Sequence, residues 1–341
     1  MQKLLTILVP TYNMQAYLNR CLDSLIVIPE LMERLEVLVV NDGSNDNSSA
    51  IAHEYEAKYP ETFRVIDKEN GNYGSCINRG LAEANGQYIK VLDADDWFDT
   101  KEFSLYLKDI LTIEVDLILT PYRMVDEKGV VGGFYISDLP AKMIHDFNSC
   151  PLGEIVYYTM HMVTYRTELL RGIDYRQTEG ISYTDNEWTH IPQFDIKQFV
   201  YLPYSVYQYL QGREGQTMTS ESLARNVWNF ERVCKSLIDN IKKHGGNVKG
   251  LAYASNLQEI IHYASFVYRI NLVRIKPSAD ALRRLKEFDQ YFKDACPEAY
   301  VATSDLKLKS SFPVKYVSYW RKTGKRFPVE WLRMFAKRTK E

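Results

Sequence analysis

Three aspartates stand together in the segment Asp93–Asp96, directly after the apolar run Tyr88–Leu92. Asp93 and Asp95 are separated by one residue, which is a natural arrangement for a hard divalent cation such as Mg²⁺ or Mn²⁺. Such an ion takes one or two carboxylates, then waters and phosphate oxygens, so it can neutralise a diphosphate leaving group. The alternative interpretation is a turn followed by a helix cap, which the same composition favours.

Two further polar segments follow apolar runs in the same way. Pro10–Asn13 comes after the first run, and Asn41–Ser44 comes after the second. In an open parallel sheet, ligands bind beyond the carboxyl ends of the strands, so we expect all three segments to meet in one crevice. Asp42 can accept a hydrogen bond from a nucleobase N–H such as that of uracil, with Thr11 and Tyr12 closing on the base and ribose. The alternative for Asp42 is an Asx-turn.

The first hundred residues alternate short apolar runs with helical patterns. The runs predicted to be strands are Leu4–Val9, Leu35–Val40, Phe63–Ile66 and Tyr88–Leu92. The segments predicted to be helices are Tyr17–Ile26, Asn47–Tyr59 and Ser75–Ala84. This order predicts an α/β fold with a doubly wound, mostly parallel sheet and right-handed crossovers.

The chain beyond Val115 shows a mixed pattern and then a helical one. A strand is predicted at Leu117–Thr120 and a glycine-rich hairpin near Gly129–Gly133, which indicates an α+β region. From Leu223 onward, apolar residues recur every three or four positions, and Ser278 is a predicted helix cap. The later part of the chain is therefore expected to be α-helical.

These patterns predict two domains. Residues 1–220 form the first, with a nucleotide-binding half at 1–115 and an acceptor half at 116–220. Residues 221–341 form a helical C-terminal extension that ends in a basic, aromatic tail. The boundary is placed where the strand pattern gives way to the helical one.

Composition and short motifs exclude several classes of protein. With 45% hydrophobic and 25% charged residues and no long apolar run, the chain is typical of a globular protein that does not span a bilayer. No secretory signal pattern opens it, so we expect a cytoplasmic location. The five cysteines form no C-x-x-C pair, which indicates reduced thiols and no zinc site. Neither G-x-G-x-x-G after the first strand nor a P-loop motif occurs, which argues against the usual dinucleotide-binding fold and P-loop enzymes.

Four motifs in order along the first hundred residues resemble those of a known family: Thr6–Asn13, Val39–Asp46, Asn70–Gly80 and Val91–Trp97. They are similar to the motifs of glycosyltransferase family 2, the inverting enzymes with the GT-A fold. The resemblance is strong over residues 4–100, weaker to about residue 215 and absent beyond. It implies metal-assisted transfer of a sugar from a nucleotide diphosphate, with UDP favoured, to a hydroxyl of a glycan, glycoprotein or lipid-linked saccharide. Bacterial polysaccharide or glycoconjugate synthesis is the implied role.

The resemblance also assigns residues to a donor site. The residues it places around the nucleotide are Pro10, Thr11, Tyr12, Asn13, Asp42, Asp93 and Ala94, with Asp93 near the ribose. The residues it places around the donor sugar and phosphates are Gly71, Asn72, Asn78 and Arg79. Asp95 is the implied ligand of Mn²⁺ or Mg²⁺. The segment Gly74–Cys76 departs from the family's commoner small-residue pattern.

An inverting transfer is a single displacement, in which a carboxylate takes the proton from the attacking hydroxyl. The run Tyr183–Trp188 resembles the family's acidic motif before a helix, with Thr184 replacing the usual Glu, and Asp185 is the implied base. Glu187 is the alternative base, and a helix N-cap is the alternative role of Asp185. Trp188 is expected either to offer an apolar face to an acceptor sugar or to pack in the core.

A last match lies in Tyr207–Gln216, which is similar to the family's aromatic strand followed by an arginine-containing loop. Arg213 is the implied bidentate contact to the diphosphate, and a solvated loop arginine is the alternative. The two histidines His161 and His190 stand far apart in the sequence, and we interpret both as structural.

The C-terminal tail differs in charge from the rest of the chain. Val301–Glu341 holds eleven Lys or Arg against three acidic residues, and aromatic residues are interleaved with the basic ones. A short amphipathic helix is predicted at Val329–Arg338. This composition favours peripheral contact with the inner face of the cell membrane, and equally packing on the helices or on a second subunit. The acidic remainder argues against nucleic acid as a partner.

Three other functions remain open at this point. A metal-dependent phosphatase also uses Asp-x-Asp after a strand, but there the strand is an early one and Thr or Val stands where this chain has Trp97. A nucleotidyltransferase has a related fold, but usually carries a Gly- and Lys/Arg-rich loop after its first strand. A non-catalytic nucleotide-binding or assembly module of the same fold would keep the motifs without transferring sugar.

Overall fold

The computed structural model describes residues 2–126, 128–134, 139–149, 158–212, 225–245, 250–275, 278–309 and 312–328. The chain forms two compact units: Met1–Gly215 with Lys249–Ser255, and Gln216–Val248 with Asn256–Glu341. The first unit carries the polar segments that follow strands, and the second is mainly helical.

Among the described residues, the first unit contains one eight-stranded and one four-stranded sheet. Its strands are β1 (Leu5–Thr11), β2 (Leu35–Asn41), β3 (Phe63–Asp67), β4 (Tyr88–Val91), β5 (Trp97–Phe98), β6 (Leu117–Leu119), β7 (Tyr122–Asp126), β8 (Gly129–Phe134), β9 (Ile144–Asp146), β10 (Val163–Arg166), β11 (Gln198–Tyr201) and β12 (Tyr207–Leu210). The larger sheet has the order β3-β2-β1-β4-β10-β6-β11-β9. Within it β3, β2, β1 and β4 run parallel, whereas β10 is antiparallel to both of its neighbours. The predicted α/β fold with a mostly parallel central sheet is confirmed.

The two central strands are buried along their whole length. Every residue of β1 and β2 is buried, which is why both read in the sequence as unbroken apolar runs rather than alternating ones. Pro10 and Thr11, which we expected to follow the first strand, are its last two residues. The pairing of β1 with β4 ends at Leu8 and Val91, so at Pro10 the strand has a neighbour on one side only. Proline, which has no backbone N–H, is tolerated at this position because fewer ladder hydrogen bonds are needed there.

The helices of the first unit connect these strands. They are α1 (Leu18–Asp23), α2 (Pro29–Met32), α3 (Ser48–Lys58), α4 (Asn72–Glu83), α5 (Thr100–Ile110), α6 (Thr167–Gly172) and α7 (Asp185–His190). Helix α4 begins before the predicted Ser75, with Asn72 in a left-handed conformation at φ 66°. Position 74 requires glycine for a steric reason, because a Cβ atom there would lie 2.1 Å from the backbone oxygen of Thr178. Glycine therefore lets α4 approach the 177–179 segment.

The smaller sheet has the order β5-β12-β7-β8. Its strands β7 and β8 pair antiparallel and form the predicted glycine-rich hairpin. Strand β12 pairs with β5, which follows the acidic segment Asp93–Asp96 directly. This pairing brings β12, from more than a hundred residues later in the chain, next to the acidic segment.

The second unit is built from helices and a short hairpin. Its elements, with α9 beginning in the part assigned to the first unit, are α8 (Val227–Lys243), α9 (Leu251–Arg269), α10 (Ala279–Ala295), α11 (Pro297–Thr303), α12 (Tyr316–Thr323), β13 (Lys307–Lys309) and β14 (Phe312–Lys315). The predicted cap is present, since the Ser278 hydroxyl accepts a hydrogen bond from the N–H of Ala281 at 3.1 Å. The predicted helical C-terminal region is confirmed.

Part of the basic, aromatic tail packs inside this unit. Tyr316 and Trp320 on α12 are buried, and Arg321 bonds to the carboxylate of Asp289 while its guanidinium lies 3.6 Å from the ring centroid of Tyr300. The predicted amphipathic helix at Val329–Arg338 lies outside the described residues. Within the described ranges, no helix is both long and apolar enough to cross a bilayer.

Gly86, just before β4, provides a test of the sheet packing. A Cβ atom there would lie 2.4 Å from the backbone nitrogen of Thr6 and 2.6 Å from the backbone oxygen of Tyr88. We expect Gly86→Ala to lower the free energy of unfolding by about 1–3 kcal/mol, because the backbones of β1 and β4 must separate. Urea denaturation measures this change. Gly172→Ala is the matched control, since its Cβ meets nothing within 4 Å. Equal effects of the two substitutions would contradict the packing described.

Candidate functional site

The loops that follow β1 and β2 are hydrogen-bonded to each other. The N–H of Asp42 donates to the carbonyl of Thr11 at 2.8 Å. The N–H of Asn13 donates to Oγ of Ser44 at 3.0 Å, and the N–H of Asn45 donates to the side-chain oxygen of Asn13 at 2.8 Å. Asn13 has φ 53°, a left-handed conformation that Asn adopts more readily than most residues. The first two predicted segments therefore form one connected structure.

Asp42 is 3% exposed, and its Oδ1 atom accepts two close hydrogen bonds. The ammonium group of Lys68 donates to it at 2.5 Å and the N–H of Gly71 at 2.9 Å. The same ammonium group donates to the carbonyl of Glu69 at 2.6 Å and to Oγ of Ser75 at 2.8 Å. Residues after β3 and before α4 thus hold the carboxylate that follows β2.

Asn41, rather than Asp42, closes the turn after β2. Its Oδ1 accepts from the N–H of Ser44 at 3.2 Å, and its Nδ2 donates to Asp67 at 2.6 Å. The ring of His53 bridges the carboxylates of Asp67 and Glu56, each at 2.8 Å. The hydrogen bonds to Asp67 and then to Glu56 raise the pKa of His53. The Asx-turn alternative for Asp42 is therefore wrong, and the turn is braced from α3 and β3.

The acidic segment after β4 is held by two tyrosines. Tyr73 on α4 donates its hydroxyl hydrogen to Oδ1 of Asp93 at 2.9 Å. Tyr207 on β12 donates to Oδ2 of Asp96 at 2.6 Å and accepts from the N–H of Asp93 at 3.2 Å. The N–H of Leu210 donates to the other oxygen of Asp96 at 2.7 Å. Both oxygens of Asp96 are thus occupied by protein donors.

Crowding of negative charge perturbs this segment. Burial, followed by the charges of Asp95 and Asp93, raises the pKa of Asp96 well above its usual range. Burial and the charge of Asp93 likewise raise the pKa of Tyr73, so its hydroxyl keeps the proton that it donates. The acidic segment therefore has a negative electrostatic potential and would attract a cation.

Asp93, Asp96 and His161 place one ligand atom each within 4.8 Å of one another. Two carboxylates and an imidazole suit a divalent metal ion, and burial lowers the pKa of His161 to about 3, so the ring is neutral. We interpreted His161 as structural from the sequence, and the structure places its buried ring within reach of Asp93 and Asp96. Asp95, the ligand expected from the resemblance, lies beside this group, and its backbone oxygen accepts from Arg20 at 3.0 Å.

His161 is held by a buried lysine. The ammonium group of Lys90 on β4 donates to the backbone oxygens of His161 at 2.8 Å and Val163 at 3.2 Å. Burial lowers the pKa of Lys90 to about 7. The imidazole ring stacks on Tyr122 and meets Tyr207 edge-on, with ring centroids 4.9 and 4.8 Å apart. The sequence motifs pointed to Asp93, Asp96 and Tyr207 but not to Lys90 or His161, whose places in this cluster depend on contacts between separate elements.

Asp185 is the first residue of α7, and Thr184 occupies the N-cap position. The N-cap alternative for Asp185 is therefore wrong. Its negative charge contributes to the raised pKa of Tyr73, after burial and the effect of Asp93, and also to that of Tyr209. The charge of Asp185 is therefore felt at Tyr73, which donates a hydrogen bond to Asp93.

Glu187 and Trp188 face the interior. The carboxylate of Glu187 is buried and accepts from the N–H and the hydroxyl of Thr178, both at 2.7 Å. Trp188 is 1% exposed and packs edge-on against Tyr165 and Tyr175, each with ring centroids 5.5 Å apart. This burial corresponds to the core-packing alternative for Trp188 and not to contact with an acceptor sugar.

The residues expected around the donor sugar have different surroundings. The N–H of Gly71 donates a hydrogen bond to the carboxylate of Asp42. Asn78 is buried and exchanges hydrogen bonds with Gln177 while its Nδ2 also donates to Glu179 at 2.8 Å. Arg79 is half-exposed and pairs with Glu83 one turn along α4. Asn78 thus braces α4 against the 177–179 segment, and Arg213 lies outside the described residues.

Comparison with known proteins agrees with this architecture. Residues 6–173 match the family model described as glycosyl transferase family 2. Glycosyltransferase GlyA of Streptococcus pneumoniae is 30% identical over 162 residues, covering 47% of this chain and 23% of GlyA. The minor teichoic acid biosynthesis protein GgaB of Bacillus subtilis is 26% identical over 250 residues, covering 70% of this chain and 27% of GgaB. The chain thus spans about a quarter of the length of these relatives.

A solved structure shares the fold. TarS 1–349 of S. aureus, in complex with UDP-GlcNAc, superposes with a TM-score of 0.65 at 20% sequence identity, covering 94% of this chain and 87% of that one. A mostly parallel sheet with acidic segments beyond its strand ends, together with the family match, defines a glycosyltransferase with a GT-A-like fold. Residues 6–173 of the chain belong to glycosyltransferase family 2.

The His53 bridge gives the turn after β2 a pH dependence. The raised pKa means that protonated His53 stabilises the fold below about pH 6.5, the pKa of free histidine. This contribution is lost as pH rises through the folded-state pKa. We expect His53→Gln to reduce stability at about pH 5.5 by no more than about 1 kcal/mol, because the ring is about half-exposed, and to have little effect at about pH 9. Urea denaturation across this range measures it, and a difference that grows with pH would contradict the bridge.

Proposed function

We propose that this protein transfers a sugar from a nucleoside diphosphate donor, UDP-linked, to an acceptor hydroxyl with inversion at the anomeric carbon. The observation that carries the proposal is that Asp42 and Asp93 follow strands of the same parallel sheet, and that Tyr73, which donates to Asp93, also feels the charge of Asp185. The complex of TarS with UDP-GlcNAc, a structure with the same fold, supports a UDP-sugar as donor.

The nucleotide would lie across the ends of β1, β2 and β4. Asp42 would accept the N–H of the base, and the side chain of Tyr12, 45% exposed, is available to cover the base and ribose. Asp93 would lie next to the ribose. The neighbouring residues that would line this part of the site are Pro10, Thr11, Asn13 and Ala94. The donor sugar and phosphates would then extend towards Gly71 and Asn72, with Arg213 over the diphosphate.

A divalent cation, Mn²⁺ or Mg²⁺, would be held by Asp95 next to Asp93. Asp96 is a weaker ligand because both of its oxygens already accept hydrogen bonds from Tyr207 and Leu210. The group Asp93, Asp96 and His161 is the alternative ligand set. When bound, the cation would neutralise charge that develops on the departing diphosphate.

Asp185 would take the proton from the acceptor hydroxyl as that oxygen attacks the anomeric carbon. A single displacement from the face opposite the diphosphate inverts the configuration. Glu187 is less suited to this task, because it is buried and engaged by Thr178. Tyr73, whose hydroxyl reaches Asp93, would orient that carboxylate without exchanging a proton.

The acceptor is proposed to be a bacterial surface glycan or a related glycoconjugate. GgaB, which aligns over 70% of this chain, is named as a minor teichoic acid biosynthesis protein, and this supports a cell-surface polymer as the acceptor class. We place catalysis in residues 1–220 and give residues 221–341 a role in binding a polymer, a second subunit or the inner membrane surface. A location in the cytoplasm follows from this proposal, since nucleotide sugars are the donors.

Binding of UDP to wild type and variants tests the donor site. We expect titration calorimetry to show that Mn²⁺ strengthens UDP binding, and that Asp95→Ala abolishes the metal-dependent part because the ligand is removed. Asp239→Ala, which removes an exposed aspartate of α8, should leave binding unchanged. His161→Gln should also retain it. If His161→Gln loses the Mn²⁺-dependent part of UDP binding and Asp95→Ala retains it, the metal is bound by Asp93, Asp96 and His161 instead. Absence of any UDP binding to the wild-type protein would contradict the donor site.

Substitution of the two acidic residues on α7 tests the base. We expect Asp185→Asn to lower the rate of sugar transfer by about 10²–10⁴-fold with UDP binding retained, because only proton removal is lost. Glu187→Gln should instead lower the free energy of unfolding by about 1–3 kcal/mol, because it weakens buried hydrogen bonds to Thr178. Transfer is followed with a labelled UDP-sugar. Equal transfer rates for Asp185→Asn and wild type would contradict the assignment, and NMR of the product reports its anomeric configuration.

A further inference from the structure

Helix α12 of the second unit has one face that is fixed to the unit. Tyr316, Val317 and Trp320 are buried on that face. Arg321 extends it, because its guanidinium donates to the carboxylate of Asp289 at 2.8 Å and also to neighbouring backbone and hydroxyl oxygens. These contacts hold the helix in a defined orientation, so its opposite face is directed away from the core of the unit.

The opposite face carries lysines. Lys315, which directly precedes α12, and Lys322 near its end are about two turns apart, which places them on the same side of the helix. Both are exposed. Lys307 on β13 lies directly opposite Lys315 on β14 in the hairpin register, although like charges at such positions destabilise a sheet. Asp305 pairs with Lys315 and offsets one of the two charges.

Two partly exposed aromatic rings lie among these lysines. Gly324 ends α12 in a left-handed conformation at φ 68°, and the chain then folds back. Arg326 donates to two backbone oxygens beyond the end of α9, at 3.2 and 2.5 Å, and fixes this return. As a result Lys325 is exposed, and the ring of Phe327 meets that of Tyr319 edge-on with centroids 5.5 Å apart.

The exposed residues of this region form what we call the basic face: Lys307, Lys315, Tyr319, Lys322, Lys325 and Phe327. Asp305 is the only acidic residue in the sequence from 304 to 328, so four lysines share one carboxylate. Among the described residues, neither Lys322 nor Lys325 pairs with a carboxylate. Lysines around exposed aromatic rings complement a surface that is negatively charged outside and apolar beneath.

We propose that the basic face binds a lipid surface that carries anionic headgroups such as phosphatidylglycerol. The lysines attract the headgroup phosphates, and the rings of Tyr319 and Phe327 lie at the boundary between headgroups and acyl chains. The inference is independent of the donor site. It rests on the proposed function only in selecting the membrane surface from the roles proposed for residues 221–341.

The sequence that follows the basic face favours lipid over a soluble polyanion. Residues 329–341 contain Trp331, Leu332 and Phe335 together with four basic residues. A polyanion in solution is bound through the charges, whereas a bilayer also stabilises exposed aromatic and leucine side chains. The apolar residues therefore have a binding role only on a lipid surface.

Co-sedimentation of the full chain with vesicles tests the proposal. We expect the wild-type protein to bind vesicles of phosphatidylcholine mixed with phosphatidylglycerol, to bind phosphatidylcholine alone only weakly, and to dissociate as the salt concentration is raised. Lys322→Glu combined with Lys325→Glu should lower the affinity for the mixed vesicles at least about tenfold, because two attractive charges become repulsive.

Lys286→Glu combined with Lys293→Glu is the matched control. Both lysines are exposed on α10 of the same unit, so this pair changes the net charge equally without altering the basic face. It should retain most of the vesicle binding. Thermal unfolding verifies that each variant is folded, and UDP titration should give the wild-type result for both pairs, which separates this test from that of the donor site.

Three results would overturn the proposal. The first is a wild-type protein that does not bind the mixed vesicles. The second is equal binding by the two double variants, which would make overall charge rather than the basic face responsible. The third is binding of inorganic polyphosphate that is as tight as vesicle binding and depends on Lys322 and Lys325, which would assign the basic face to a soluble acidic polymer.

Discussion

Three carboxylates, Asp93, Asp95 and Asp96, are crowded into four residues at the end of β4, and the structure must hold them there against their mutual repulsion. Burial and the charges of its two neighbours raise the pKa of Asp96, and hydrogen bonds from Tyr207 and Leu210 partly compensate. The position of β12 therefore depends on the acidic segment as much as the segment depends on β12. The same concentration of negative charge would attract a divalent cation, and a diphosphate would be drawn to this edge only through that cation.

The parallel half of the sheet explains why distant residues serve one site. Strands β1, β2 and β4 are adjacent and point the same way, so the residues that follow them meet at one edge. Helix α4 then connects two parts of that edge, because Gly71 at its start reaches Asp42 and Tyr73 in its first turn reaches Asp93. The base-reading and metal-binding parts of the proposed donor site are thus joined by a single helix.

Much of the fold could be predicted because buried parallel strands leave unbroken apolar runs in the sequence. The strand ends were harder to place, and Pro10 belongs to β1 because only one neighbouring strand remains there. The roles of Lys68 and His161 could not be predicted, since each depends on a contact with a separate element. Asn78 matches a family motif, yet its contacts with Gln177 brace α4, which only the folded chain reveals.

The central proposal is that the base of a uridine nucleotide lies between the loops after β1 and β2. Photolabelling with 5-azido-UDP in the presence of Mn²⁺, followed by mass spectrometry of the peptides, measures this directly. We predict that the label is attached within residues 11–13 or 42–45, and that excess UDP prevents the labelling. Attachment at the opposite edge of the sheet around Arg64, or labelling that UDP does not prevent, would contradict the assignment of this edge as the donor site.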